Sequence, residues 1–212
     1  MQLHAELEDA HTVRAAVGCP AALLADMTCD SAAATDLLDE GLSILGGIGH
    51  QPGLAGLDMF RATLAERHGD HDGAGQALKR AVQRYEAIGF SAAAQSAGLW
   101  HATFGADGPS GTQAAAQSAG SWDVEVLTEQ AAAAAALREG RTEAAIEHVV
   151  RAGARLDGVH GAGARITPLL VSLRLAVRCS ERGLIERVAR LARAAAGVKH
   201  DVRAIRTIDE LV

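Results

Sequence analysis

The stretch AGQALKRAVQRYEAIG, Ala74–Gly89, decides the fold. Its apolar residues Leu78, Ala81, Val82, Tyr85 and Ile88 fall three and four apart, the spacing that lines one face of an α-helix, and Gly89 supplies a C-terminal stop. Forty residues earlier, Thr35–Gly49 repeats the design through Leu37, Leu38, Leu42, Leu45 and Ile48. A shift of 40 superposes Ala34 on Ala74, Leu38 on Leu78, Leu42 on Val82, Leu45 on Tyr85 and Ile48-Gly49 on Ile88-Gly89. Similarity at a fixed period of this size signals a stacked helical repeat, in which each unit buries its apolar face against the next.

Short glycine turns extend the pattern. Arg67-His68-Gly69-Asp70 parts an apolar helix from the Ala74 helix, and Arg138-Glu139-Gly140-Arg141 parts an Ala-rich helix from Ala145–Ala152. Gly105 lies about midway, so hairpin turns are predicted near Gly69, Gly105 and Gly140. Helices are expected near 2–17, 31–48, 53–67, 72–88, 91–104, 111–119, 122–138, 142–156, 168–181, 184–196 and 201–211. Ser31, Ser91 and Ser121 are the expected N-caps, and Pro52 and Pro168 suit first helical positions. Gly158–Gly163 reads as a glycine-rich loop. The expected architecture is all-α, a right-handed stack of antiparallel helical hairpins forming one domain over 1–212. Its clearest repeats cover 31–157, with a divergent hairpin and capping helix over 158–212.

Composition agrees. The 212 residues are 49% hydrophobic and 22% charged, which excludes disorder, while only 3% are aromatic. Alanine is the best helix former, and the aromatic and β-branched residues that strands favour are sparse. Three cysteines without CxxC spacing suggest neither a disulfide framework nor a zinc site. The acidic start MQLHAELEDAHTV lacks the apolar core of a signal peptide, and no apolar run reaches the roughly 20 residues that span a bilayer. Bacterial cytoplasm and no membrane association are therefore expected. Residues 1–137 hold 6 basic and 17 acidic side chains, a balance of −11, whereas 138–212 hold 14 and 9, a balance of +5. Such polarity fits a partner for one end, head-to-tail association into a homodimer at low salt, or two ordinary solvated surfaces.

On these residues, above all the apolar helix before Gly69-Asp70 with Ala74, Leu78 and Ala81 after it, the chain resembles tetratricopeptide-repeat proteins. The period near 40 and the helix ending Tyr85-Glu86-Ala87-Ile88-Gly89 are similar to the long-repeat variety in MalT-like bacterial regulators. The chain departs from that pattern in lacking the aromatic of the first helix, in Ala62 where Gly is usual, and in having no closing proline. The resemblance implies a concave groove lined by the first helix of each hairpin. Matching the turns places Met59, Thr63, Arg67, Gln95, Leu99, Gln130, Ala134 and Arg138 along it, or else packed between hairpins. It implies a non-catalytic module, regulatory or scaffolding, for a protein, peptide or ligand, and the arginines favour an acidic one.

Motifs for other chemistry are weak. GxxxxGK[ST], GxSxG and HExxH are absent, and Gly158–Gly163 lacks the GxGxxG spacing, so no cofactor is expected. His68-Gly-Asp-His71-Asp invites a metal, but its members share one turn where Asp70 is explained by capping, so a solvated turn without metal is expected. Arg174, Arg178 and Arg182 recur every four residues as one helical stripe, which suits either an anion or a solvated face. With pI near 5.8 and no helix-turn-helix, sequence-specific nucleic-acid binding is not expected. The alternative function is a small helical enzyme or biosynthetic accessory protein with a pocket between hairpins, for which His101, Glu129 and Arg138 are scattered candidates.

Overall fold

A positive φ recurs every 20 residues at Cys29, Gly49, Gly69 and Gly89, and again at Ser180 and His200, with a further one at Gly140. Each closes a helix in the same way. The N–H of Gly69 reaches back to the Glu66 carbonyl at 3.0 Å and that of Asp70 to the Ala65 carbonyl at 2.8 Å, and Gly49, Gly89, Gly140 and His200 repeat the pair. This is the Schellman ending, which needs a left-handed residue at its apex. The next residue starts the following helix as its cap. Asp30, Asp70 and Asp201 accept from the backbone N–H three residues on, and His50 does the same through Nδ1. A two-residue turn therefore ends one helix and begins the next, which holds nearly every helix to one length.

The computed structural model describes residues 22–104, 122–159 and 162–212. A short helical segment over 22–27 is followed by α1 (Ser31–Gly47), α2 (Gln51–Arg67), α3 (His71–Ala87) and α4 (Ser91–Phe104). After residue 121 come α5 (Trp122–Arg138), α6 (Thr142–Asp157), α7 (Ala162–Cys179), α8 (Arg182–Lys199) and α9 (Val202–Leu211). No strand occurs among the described residues. The chain is all-α, and each helix packs on its neighbours in sequence as a helical-repeat solenoid does.

Burial sorts the helices into two layers. Helix α3 is buried along Ala74, Ala77, Leu78 and Ala81, and α6 and α8 likewise along one stripe, so these form the outer layer. Helices α2 and α5 bury residues around much of their circumference, as inner helices must. Alanine at 0% exposure in both layers, including Ala62, Ala77, Ala133 and Ala145, lets the helices approach closely. The inner layer curls until its ends meet: α7 and α9 both pack on α2.

The structure differs from the expected pattern at three places. Helix α7 begins at Ala162 and carries Pro168 in its interior, because Gly158–Gly163 does not remain a loop throughout. The cap of α1 is Asp30, one residue before Ser31. Arg182 opens α8 beyond the turn at Ser180, so it does not share a helix with Arg174 and Arg178. The expected helices over 2–17 and 111–119, the Gly105 turn and the Ser121 cap lie outside the described residues.

Ser180 and His200 hold the left-handed conformation without being glycine. That geometry costs a residue with a Cβ about 1–2 kcal/mol. Ser180→Gly is expected to stabilise the protein by about 0.5–1 kcal/mol, part of the gain being lost to the more flexible unfolded chain. Urea denaturation midpoints check this, and an unchanged or lower midpoint would show that the serine side chain compensates.

Candidate functional site

The inner helices are held closed by buried charge. Arg67, the last residue of α2, is 1% exposed at its side chain. Its Nε donates to Asp26 at 2.5 Å and its Nη2 to both Asp201 oxygens, at 2.7 and 2.9 Å. Asp26 also meets His68 Nε2 at 2.6 Å, and Asp201 caps α9 through Ala204 N–H at 2.9 Å. Thr207 of α9 adds a hydroxyl donated to the Arg67 carbonyl at 3.4 Å. Every buried charge here has an opposite partner and hydrogen bonds, the condition under which burial is tolerated. Burial pushes the Asp26 carboxyl up, but the hydrogen bond from His68 and the charge and hydrogen bond of Arg67 outweigh it, and its pKa falls below the ordinary value.

A second bridge joins α7 to α2. Arg174 donates to the carbonyl of Glu66 at 2.6 Å and also to its carboxylate, which is 0% exposed. The other carboxylate oxygen lies 3.1 Å from His71 Nδ1, and the imidazole stacks on Phe104 with ring centroids 5.8 Å apart. These groups, with Thr103 and Arg178, border a cavity of about 250 Å³. The charge polarity along the chain thus has an internal use. Acids of the first half pair with arginines of the second, as Glu66 with Arg174, Glu125 with Arg155 and Glu129 with Arg151.

The larger cavity, about 320 Å³, lies between the inner helices. Helix α2 presents Met59, Phe60 and Thr63 to it, and α4 presents Ser96 and Trp100. Trp122, Val126 and Gln130 come from α5, and Pro168 and Val171 from α7. Val171 borders both cavities. Gln130 is 1% exposed, and its Nε2 donates to the Pro168 carbonyl at 2.7 Å and to Ser172 Oγ at 2.9 Å. A carbonyl can only accept, so the amide orientation is settled and Oε1 is what remains. That oxygen is buried without a hydrogen-bond partner, and so is Nε1 of Trp100, which is 8% exposed. An unmet buried donor or acceptor costs about 1–3 kcal/mol.

The structure brings three of the expected groove residues, Met59, Thr63 and Gln130, to this cavity. The others are placed differently. Arg67 is not an exposed groove cation but the hub of the buried ion network. Leu99 packs with Ala102, Val124 and Ala131, and Ala134 belongs to the main apolar core. Gln95 is half-buried and does not border the cavity. Arg138 donates to the Ala102 carbonyl at 3.2 Å. Of the arginine stripe, Arg174 is held by Glu66, Arg178 borders the smaller cavity, and Arg182 is 92% exposed beside Glu186. Asp70 caps α3 as expected, whereas His68 and His71 are tied to Asp26 and Glu66 rather than simply solvated. Among the described residues no three His, Cys, Asp or Glu side chains gather in a metal-binding group, Cys29 and Cys179 are free thiols, and no helix is long and apolar enough to cross a membrane.

Trp100, Trp122, Phe60, Ser96 and the α7 residues were not foreseen. The 40-residue period carries part of the missing signal, since it makes Phe60 and Trp100 equivalent and both border the cavity. The step from Gly69 to Gly105 is 36 residues, four short of that period, which is why matching the turns gives Gln95 and Leu99 in α4 instead. Comparison with protein-family models, with curated proteins and with solved structures found no match for this chain.

Proposed function

We propose that this chain is a non-catalytic binding module, regulatory or scaffolding, that holds a small ligand in the cavity between its inner helices. The observation that carries the reading is the cavity of about 320 Å³ between the inner helices, whose largely apolar wall also carries Thr63, Ser96 and Gln130. Apolar walls with a few fixed polar groups characterise small-molecule sites. The packing of α7 and α9 on α2 favours a small ligand over the extended peptide that the tetratricopeptide resemblance suggests, because a peptide needs a groove that runs on along the stack. Both of the chain's tryptophans border the cavity, so intrinsic fluorescence reports occupancy directly.

A second reading, a small helical enzyme, draws on one observation. Glu66 holds His71 by Nδ1 beside Arg174 and Arg178, the arrangement in which a carboxylate orients an imidazole for proton transfer. One experiment separates the two. A bound small molecule at about 100 times its Kd should raise the unfolding free energy by about 2.7 kcal/mol, and Ser96→Phe, which fills the cavity, should abolish that gain. Turnover of a small molecule by the isolated protein, lost in His71→Ala and kept in Ser96→Phe, would replace the binding reading with the enzyme.

A further inference from the structure

We infer that the smaller cavity is a second binding site, for an organic carboxylate of about one ring in size held by Arg178. The inference does not rest on the larger cavity. It concerns the border shared by the end of α2, the start of α3, the end of α4 and the middle of α7. Size follows from volume. At about 250 Å³ the cavity exceeds the roughly 150 Å³ that accommodates benzene in an apolar protein interior, which leaves room for a carboxylate beside a ring.

Charge selects the head group. Arg174 and Arg178 stand four residues apart on α7, hence on one face of the helix, and both border the cavity. The acid beside them, Glu66, is already engaged on both oxygens: Oε1 accepts from Arg174, and Oε2 lies 3.1 Å from His71 Nδ1. An ionised carboxylate has only lone pairs to offer, so the imidazole donates to it. The Glu66 charge is thus met within the wall. Arg178 is exposed and makes no ion pair with any described residue, so its charge is the one left over. A guanidinium receives a carboxylate through two parallel N–H donors, a match in geometry as well as in sign.

The apolar part of the border selects the body. Phe104, Val171 and Leu175 line the cavity together with the arginines. Phe104 is held in place by stacking on His71, and Val171 and Leu175 belong to the main apolar core. A ligand with an apolar ring would take this surface out of water, whereas inorganic phosphate or sulfate would leave it wet. A single molecule that answers both halves of the border carries an anionic head on a small apolar body. Ser96 borders the larger cavity and not this one, so the two sites are separable by mutation.

The test titrates the whole protein by calorimetry in low-salt buffer with benzoate, with its neutral counterpart benzamide, and with inorganic phosphate. Benzoate is expected to bind about tenfold or more tightly than either of the others. Arg178→Gln removes an exposed side chain that has no ion pair among the described residues, so the fold should survive it. It should weaken benzoate about tenfold without changing benzamide affinity. Ser96→Phe, which fills the larger cavity, should leave benzoate binding as it is. The comparison of the three probes needs no variant and stands even if a variant fails to fold. Benzamide binding as tightly as benzoate would overturn the requirement for an anion, and phosphate doing so would overturn the apolar body. Benzoate affinity unchanged in Arg178→Gln would sink the site. Benzoate binding lost in Ser96→Phe would move the ligand to the larger cavity, against this inference and in favour of the reading above. No benzoate binding at about 10 mM would overturn this inference alone, because the larger cavity is tested separately by the stabilisation that Ser96→Phe removes.

Discussion

Arg67→Ala is expected to destabilise the protein by about 3–5 kcal/mol, a large share of the roughly 5–15 kcal/mol that holds a typical domain folded. The cause is the two carboxylates left behind. Asp26 and Asp201 are 0% and 1% exposed at their side chains, and Arg67 is the group that bridges them. Losing one partner of a buried pair strands the other charge, which is why removal is far more damaging than the net value of the pair. Substitution by Lys should recover little, because a single ammonium cannot reproduce the fork that reaches Asp26 through Nε and Asp201 through Nη2. Chemical denaturation followed by far-ultraviolet circular dichroism checks this, and a loss below about 1 kcal/mol would mean that the network does not hold α2 against α9. The same network makes stability depend on acid. The Asp26 pKa is depressed in the folded state, so its contribution is full above the ordinary value of 3.8 and is lost as pH falls below it toward the folded value. Glu129, where burial raises the carboxyl pKa but His148 and Arg151 lower it further, acts in the same direction from its ordinary 4.5. Acid unfolding should therefore set in below about pH 4, and Asp26→Asn should flatten that limb of the profile.

The second large effect belongs to Leu78→Asp, expected to cost more than about 4 kcal/mol. Leu78 is 0% exposed at the contact of α3 with the inner layer, in a cluster with Ala62, Ala77 and Trp100. A carboxylate placed there would have apolar neighbours instead of a cation and would abut the wall residue Trp100. Leu78→Ala, by comparison, removes only packing and should cost about 2–5 kcal/mol. A Leu78→Asp protein that melts within a degree or two of the parent would mean that this face of α3 is not buried. Ligand binding in Leu78→Ala provides a further check, because loosening the support of Trp100 should weaken affinity for any cavity ligand along with stability.

Much of the fold was legible because its determinants are local. Leu38, Leu45, Leu78 and Ala81 lie at helical spacing and are all buried, since the outer helices expose one face to water and bury the other. Gly49, Gly69, Gly89 and Gly140 mark helix ends because the turn needs a left-handed residue there, and glycine adopts that conformation without strain. Ser180 and His200 close helices with the same geometry and carry no comparable signal, so α7 ends at Cys179, two residues before the expected 181. Pro168 misled in the other direction. A proline usually opens a helix, but α7 carries it in its interior, where its carbonyl receives Gln130.

The candidate site was legible only in part. Met59, Thr63 and Gln130 followed from the repeat, because a residue's place on an inner helix is a matter of phase. What no local pattern contains is the distance at which the two ends of the stack meet. Arg67 and Asp201 are 134 residues apart in sequence, and Glu66 and Arg174 are 108 apart. Their pairing depends on curvature summed over every Ala-lined contact between them, which no single helix encodes. From sequence, Arg67 was therefore indistinguishable from a groove cation waiting for an anionic partner. Sequence by itself determined most of the described helices, the glycine ends at 49, 69, 89 and 140, and the buried faces of α1, α3 and α6, because these obey periodicities of a few residues. Only the tertiary structure decided that α7 and α9 come round onto α2 and that Arg67 is enclosed by acidic partners, Asp26 and Asp201. It also decided that Trp100 and Gln130 are left with an unmet donor and an unmet acceptor, because those outcomes are set by which distant surfaces come into contact.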